Sequence, residues 1–166
     1  MGEDGLRPSE PIAGGTEPFQ GSGLKSDWSW FRANVRGKRV AYTGNNLPFP
    51  LAGADLANDV RYVNVAGAPG DRLHDLTRGA PPGDAPEPAP YRDGARPDVW
   101  LRNLRAARTE VLFVAALYPG VRRTIAADAD GFPVERAWAD ASPRLFRLRH
   151  ASATARVYDL LPEAAP

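Results

Sequence analysis

Three stretches of the chain carry apolar residues at helical spacing, and several others carry short unbroken apolar runs. Trp28, Phe31 and Val35 fall at i, i+3 and i+7, which predicts an opening helix with Asp27 as N-cap and Gly37 at its end. Trp100, Leu101, Leu104 and Ala107 predict a second helix, capped by Asp98 behind Pro97. Val134, Ala137, Trp138 and Ala141 predict a third, with Pro133 near its first turn and Pro143 as its stop. Strands are expected at 39–43, 60–65, 111–117, 145–149 and 156–160. The run at 111–117 is wholly apolar, as in a strand covered on both faces. Ser152, Ala153 and Thr154 separate the last two strands and suit a hairpin. Two further short helices are expected at 52–58 and 72–77.

Helix, strand, strand, helix, strand, helix, hairpin is an α/β order. It predicts a three-layer, Rossmann-like open sheet of about five strands, mostly parallel with a C-terminal antiparallel hairpin. Right-handed crossovers would set the first and third strands side by side at its centre. Residues 1–25 are rich in Gly, Pro, Ser and Glu and read as a flexible arm. Residues 26–162 then form a single α/β domain, with a Pro-, Gly- and Ala-rich mobile loop at 79–97.

Composition narrows the partners. The 166 residues suffice for one core, and 43% hydrophobic with 25% charged residues is a globular balance. A net charge of +1, from 21 Lys and Arg against 20 Asp and Glu, gives no pull toward nucleic acid. Arg147 and Arg149 alternate along a strand and read as a solvated face rather than a phosphate site. With no Cys, disulfides and thiolate metal sites are excluded. No apolar run approaches the ~20 residues a bilayer span needs, and the first residues lack the basic and apolar regions of a signal peptide. A chain without a transmembrane segment is therefore expected.

The corner after the first strand, Gly44-Asn45-Asn46, is the natural ligand position, because the crevice beyond strand carboxyl ends is where open α/β sheets bind. Gly44 permits a tight turn, and Asn45 and Asn46 offer donors and acceptors to a sugar hydroxyl or a phosphate. Asn tolerates left-handed turns by itself, so a structural role competes with this one. No GxGxxG fingerprint follows. Asn64, after the second strand, and His74, with Asp71 and Asp75 nearby, complete the candidate ligand-binding set. His150, at the hairpin, is expected to be exposed. Asp128 and Asp130 faintly resemble a calcium loop, but Ala139 stands where its bidentate Glu is required. No Ser lies in a G-x-S-x-G elbow. The sequence therefore nominates no catalytic residue, no metal and no cofactor. Trp28 and Trp30 are expected to face different ways, one of them toward another domain.

The run Arg39-Val40-Ala41-Tyr42-Thr43-Gly44-Asn45-Asn46-Leu47-Pro48-Phe49-Pro50-Leu51 with Gly53, then Val60-Arg61-Tyr62-Val63-Asn64-Val65, carries a family resemblance. Trp100-Leu101-Arg102-Asn103-Leu104, Phe132-Pro133-Val134-Glu135-Arg136-Ala137-Trp138-Ala139 and Arg156-Val157-Tyr158 extend it. Over about residues 28–161 the chain resembles the soluble C-terminal domain of bacterial multi-pass, GT-C-like membrane glycosyltransferases that use lipid-linked sugars. In that family the membrane part carries the reaction, through an acidic residue with no counterpart here. The resemblance implies a non-catalytic accessory domain that supports a membrane-embedded glycosyltransferase core or binds a glycan or lipid-linked sugar. It implies the extracytoplasmic face of the membrane for a chain excised from such a parent; a stand-alone chain would be cytoplasmic. The residues alone leave an alternative, a stand-alone nucleotide- or sugar-nucleotide-binding protein or small enzyme using the Gly44–Asn46 crevice.

Overall fold

The computed structural model describes residues 23–44, 48–67, 94–117 and 125–162. The expected helix at 72–77, most of the arm and most of the 79–97 loop lie outside these residues. Three α-helices, α1 (Lys25–Asn34), α2 (Pro97–Ala106) and α3 (Val134–Asp140), accompany five strands. The strands are β1 (Arg39–Thr43), β2 (Asp59–Tyr62), β3 (Val111–Ala115), β4 (Phe146–Ala151) and β5 (Ala155–Leu160). They form one sheet in the order β2-β1-β3-β5-β4.

The pleat explains the layers. Val40 and Tyr42 of β1, Val111 and Phe113 of β3 and Val157 of β5 share one apolar cluster with Leu24, Phe31 and Val35 from the α1 segment. Ala41, Leu112, Val114, Tyr158 and Leu160 belong to the opposite face and pack with Trp100 and Leu104 of α2 and Ala139 of α3. Helices thus cover both faces, and every residue of β3 is buried. Each buried aliphatic or aromatic side chain contributes about 2 kcal/mol of transfer free energy, which makes β3 the spine of the molecule. β1 pairs in parallel with both β2 and β3, with Val40 opposite Val60 and Val111.

The sheet is mixed, not mostly parallel. Two strand pairs are parallel, while β3–β5 and β4–β5 are antiparallel. The reason is the hairpin. The chain leaves α3, lays β4 along the outer edge and turns back through residues 152–154, so that β5 fills the slot beside β3 and opposes both neighbours.

Several local expectations are corrected by buried polar side chains. Leu24, not Asp27, occupies the N-cap position of α1, and Asp27 is fully buried inside its first turn. Trp28 and Trp30 both pack, partly buried, against the α1-side cluster. The buried residues of α3 are Glu135 and Ala139, with Phe132 just ahead of the helix, while Ala137 and Ala141 are exposed, one position off the apolar stripe. An acidic residue reads as a solvent position, so periodicity alone rotates the helix the wrong way. In place of a single helix at 52–58 the chain makes two 3-10 turns, Phe49–Ala52 and Ala54–Leu56. They break at Gly53 (φ 78°) and Asp55 (φ 61°). The buried Asn58 side chain donates to the carbonyls of Val35 (3.2 Å) and Leu51 (3.0 Å) and accepts from the Lys38 amide (3.0 Å). That tie satisfies three backbone groups that no regular element serves.

Candidate functional site

β1 lies between β2 and β3, and the connections leaving β1 and β2 carry the chain to opposite sides of it. In open α/β sheets ligands bind beside such a reversal, here at the carboxyl ends of β1 and β3. Gly44 stands at that end. Its φ is +84°, and a Cβ placed there would stand 1.9 Å from the carbonyl oxygen of Ala115. The two strand ends therefore meet backbone to backbone, an approach only glycine permits.

On the α3 side of this strand end lies a buried carboxylate. Glu135 is fully buried, and the hydroxyl of Thr43, the last residue of β1, donates to its Oε1 at 2.7 Å. Sequence reading missed this pair. The available signal was Glu135 in the first turn of a helix, which reads as a dipole complement on the surface. Pro133, in extended conformation as the N-cap, starts α3 so that Glu135 turns inward. Ahead of it, Asp128 closes a turn by accepting the amides of Asp130 (3.0 Å) and Phe132 (2.9 Å). Arg136 bridges Asp128 (3.0 Å) and Asp130 (2.6 Å), so the faint calcium-loop carboxylates are engaged with a guanidinium. Among the described residues no group of three or more His, Asp or Glu could hold a metal ion.

Beyond β3 lies an open depression of about 480 Å³ lined by Asp130, Phe132, Ala151, Ser152, Ala153 and Arg156. The Ala116 amide bonds the Thr154 carbonyl (2.9 Å) and the Leu117 amide bonds that of Gly131 (2.8 Å), which brings hairpin tip and α3 approach to this end of the sheet. The guanidinium groups of Arg136 and Arg156 each lie 4.8 Å from the centroid of the buried Phe132 ring.

Of the residues the sequence nominated, Gly44 lies at the carboxyl end of β1 in a left-handed conformation. Asn64 is buried just beyond β2, and its carbonyl accepts from the Asn103 side-chain amide at 3.0 Å. The same amide reaches the Gly67 carbonyl at 3.1 Å, so Asn103 pins the β2 exit to α2. Asn45, Asn46 and His74 lie outside the described residues.

His150 corrects the sequence reading. It is largely buried rather than exposed, with Nε2 2.7 Å from Asp27 Oδ1 and its ring stacked on Trp30 at 4.4 Å. A bulge between Leu148 and His150 shifts the β4–β5 register. The extra residue places His150 on the same face as Arg147, where strict alternation would point it away. Thr154 donates to the other Asp27 oxygen at 2.6 Å. The carboxylate stands between hydroxyl and imidazole, so the three do not form the nucleophile–base–carboxylate relay of a hydrolase. They bind α1 to the hairpin.

No protein-family model, curated protein or solved structure matches the chain. Among the described residues no helix is long and apolar enough to cross a membrane.

Proposed function

We propose that this chain is a non-catalytic accessory module of the kind its sequence resembles, the C-terminal domain of a GT-C-like membrane glycosyltransferase. In this reading it packs beside a membrane-embedded core and offers the crevice at the carboxyl ends of β1 and β3 to a glycan or lipid-linked sugar. The observation that supports it most is the reversal of strand order about β1, with Gly44 at the carboxyl end of that strand. Buried polar groups brace that end of the sheet. Thr43 and Glu135 are bonded to each other, and Asn103 holds two carbonyls at the β2 exit.

The same strand reversal supports a second reading, a stand-alone Rossmann-like nucleotide- or sugar-nucleotide-binding protein or small enzyme. Titration of the isotopically labelled full chain with a polyprenyl-phosphate sugar, a short oligosaccharide and a sugar nucleotide separates the two by NMR. The accessory reading expects saturable shifts at Gly44, Ala116 and Phe132 with the first two ligands. Binding of the sugar nucleotide alone would transfer the assignment to the second reading. Release of sugar from an activated donor by the chain alone would end the non-catalytic reading.

A further inference from the structure

The amino end of the sheet, opposite the crevice, holds a second concavity. It is a groove of about 660 Å³ lined by Lys38, Arg105, Glu110, Arg147, Arg149 and Asp159, with Leu161 and Pro162 beside them. Side chains from five elements converge there, Asp159 among them from β5. Lys38 precedes β1, Glu110 precedes β3, Arg147 and Arg149 lie on β4, and Arg105 stands in the last turn of α2. Four cations thus face two carboxylates.

Both carboxylates are committed to the other three cations. Lys38 Nζ lies 2.8 Å from Glu110, while Arg147 and Arg149 lie 2.6 and 3.3 Å from Asp159. Arg105 is different. Its Nε and Nη2 are shielded from water and have no hydrogen-bond partner among the described residues. A cation in the last helical turn suits the helix dipole. The dipole, however, supplies no acceptor for those N–H groups, so no hydrogen bond ties them inward and the guanidinium can turn to meet an anion in the groove it lines.

We propose that this groove binds a small doubly charged phosphate group, as free phosphate or a phosphate monoester. Arg105 is its principal partner, with Arg147 at the rim. The four cations of the groove outnumber its two carboxylates, and Arg39, 4.0 Å from Glu110, adds a fifth, so a dianion is matched better than a monoanion. Guanidinium groups pair with phosphate through charge-assisted hydrogen bonds. A single carboxylate would meet less of that charge. This site is independent of the crevice at the carboxyl end, and either can stand without the other.

The test follows arginine side-chain Nε–Hε resonances of the full chain during titration with inorganic phosphate, against chloride at matched ionic strength. The Arg105 resonance is expected to shift saturably, with half-saturation on the order of 1 mM. Arg105→Gln is expected to weaken binding by about tenfold, whereas Arg102→Gln, exposed on the same helix, leaves it unchanged. A parallel titration with glycerol phosphate identifies the source, since tighter binding of the ester assigns a phosphate monoester and tighter binding of the free ion assigns phosphate itself. Absence of a saturable Arg105 shift, or equal affinity in Arg105→Gln, overturns the proposal. Should Arg105→Gln fail to fold, the wild-type titration and Arg147→Gln decide. A several-fold loss in Arg147→Gln supports the site, and none overturns it.

Discussion

Gly44 and Tyr158 show how much a single residue decides in this molecule. A methyl group at position 44 meets the Ala115 carbonyl at 1.9 Å, and the backbone there is left-handed. Neither strand end can retreat without breaking the β1–β3 ladder. Gly44→Ala is therefore expected to lose about 3 kcal/mol or more in chemical denaturation, well beyond the usual glycine-to-alanine effect in a turn. Tyr158 governs the alkaline limb. Burial, and then the hydrogen bond its hydroxyl donates to Asp140 at 2.8 Å, hold its phenol well above the usual range. The unfolded chain releases that proton near pH ~10 while the folded chain keeps it. The contribution is whole below that pH and falls as pH rises beyond it. In a stability profile, Tyr158→Phe should flatten the decline above pH ~10 and cost about 1 kcal/mol at neutral pH.

At the scale of elements, α1 and the β4–β5 hairpin hold each other through one carboxylate. Asp27 takes His150 on one oxygen and Thr154 on the other, and the bulge in β4 aims His150 at it. His150→Ala leaves a fully buried carboxylate with half its partners and removes the ring beneath Trp30. Breaking one side of a buried charged hydrogen bond costs about 2 kcal/mol. Hydrogen exchange should show this locally, with α1 amides accelerated and β1–β3 amides at their wild-type rate up to global unfolding. Uniform acceleration of helix and sheet would show instead that α1 is no separate unit. The α3 helix teaches the complementary lesson. Its seven residues are too few to stand alone, and it is fixed by Glu135 reaching Thr43 across the sheet face.

For the whole molecule, two apolar clusters press on β3 from opposite sides, and β1 and β5 flank it on both edges. The most protected amides are therefore expected in β3 and the facing edges of β1 and β5. Edge strands β2 and β4 should exchange faster, through smaller openings. A hydrogen-exchange map with β4 as protected as β3 would contradict this arrangement. The two ends of the same sheet also divide the candidate chemistry. Gly44 and the Thr43–Glu135 pair lie at the carboxyl end, and the Arg105 groove lies at the amino end.

Reading the chain alone gave the α/β class, the five strands, the hairpin and the central pairing of the strand at Arg39 with the one at Val111. All of these follow from the spacing of apolar residues and from Gly and Pro punctuation, which act locally. The direction of β5, the inward face of α3, the burial of Asp27, Glu135 and His150, and the unmatched Arg105 depend on tertiary structure. A charged side chain looks solvated in any linear pattern. Only the fold can supply the distant hydroxyl or imidazole that lets it be buried, or withhold the carboxylate that would have neutralised it.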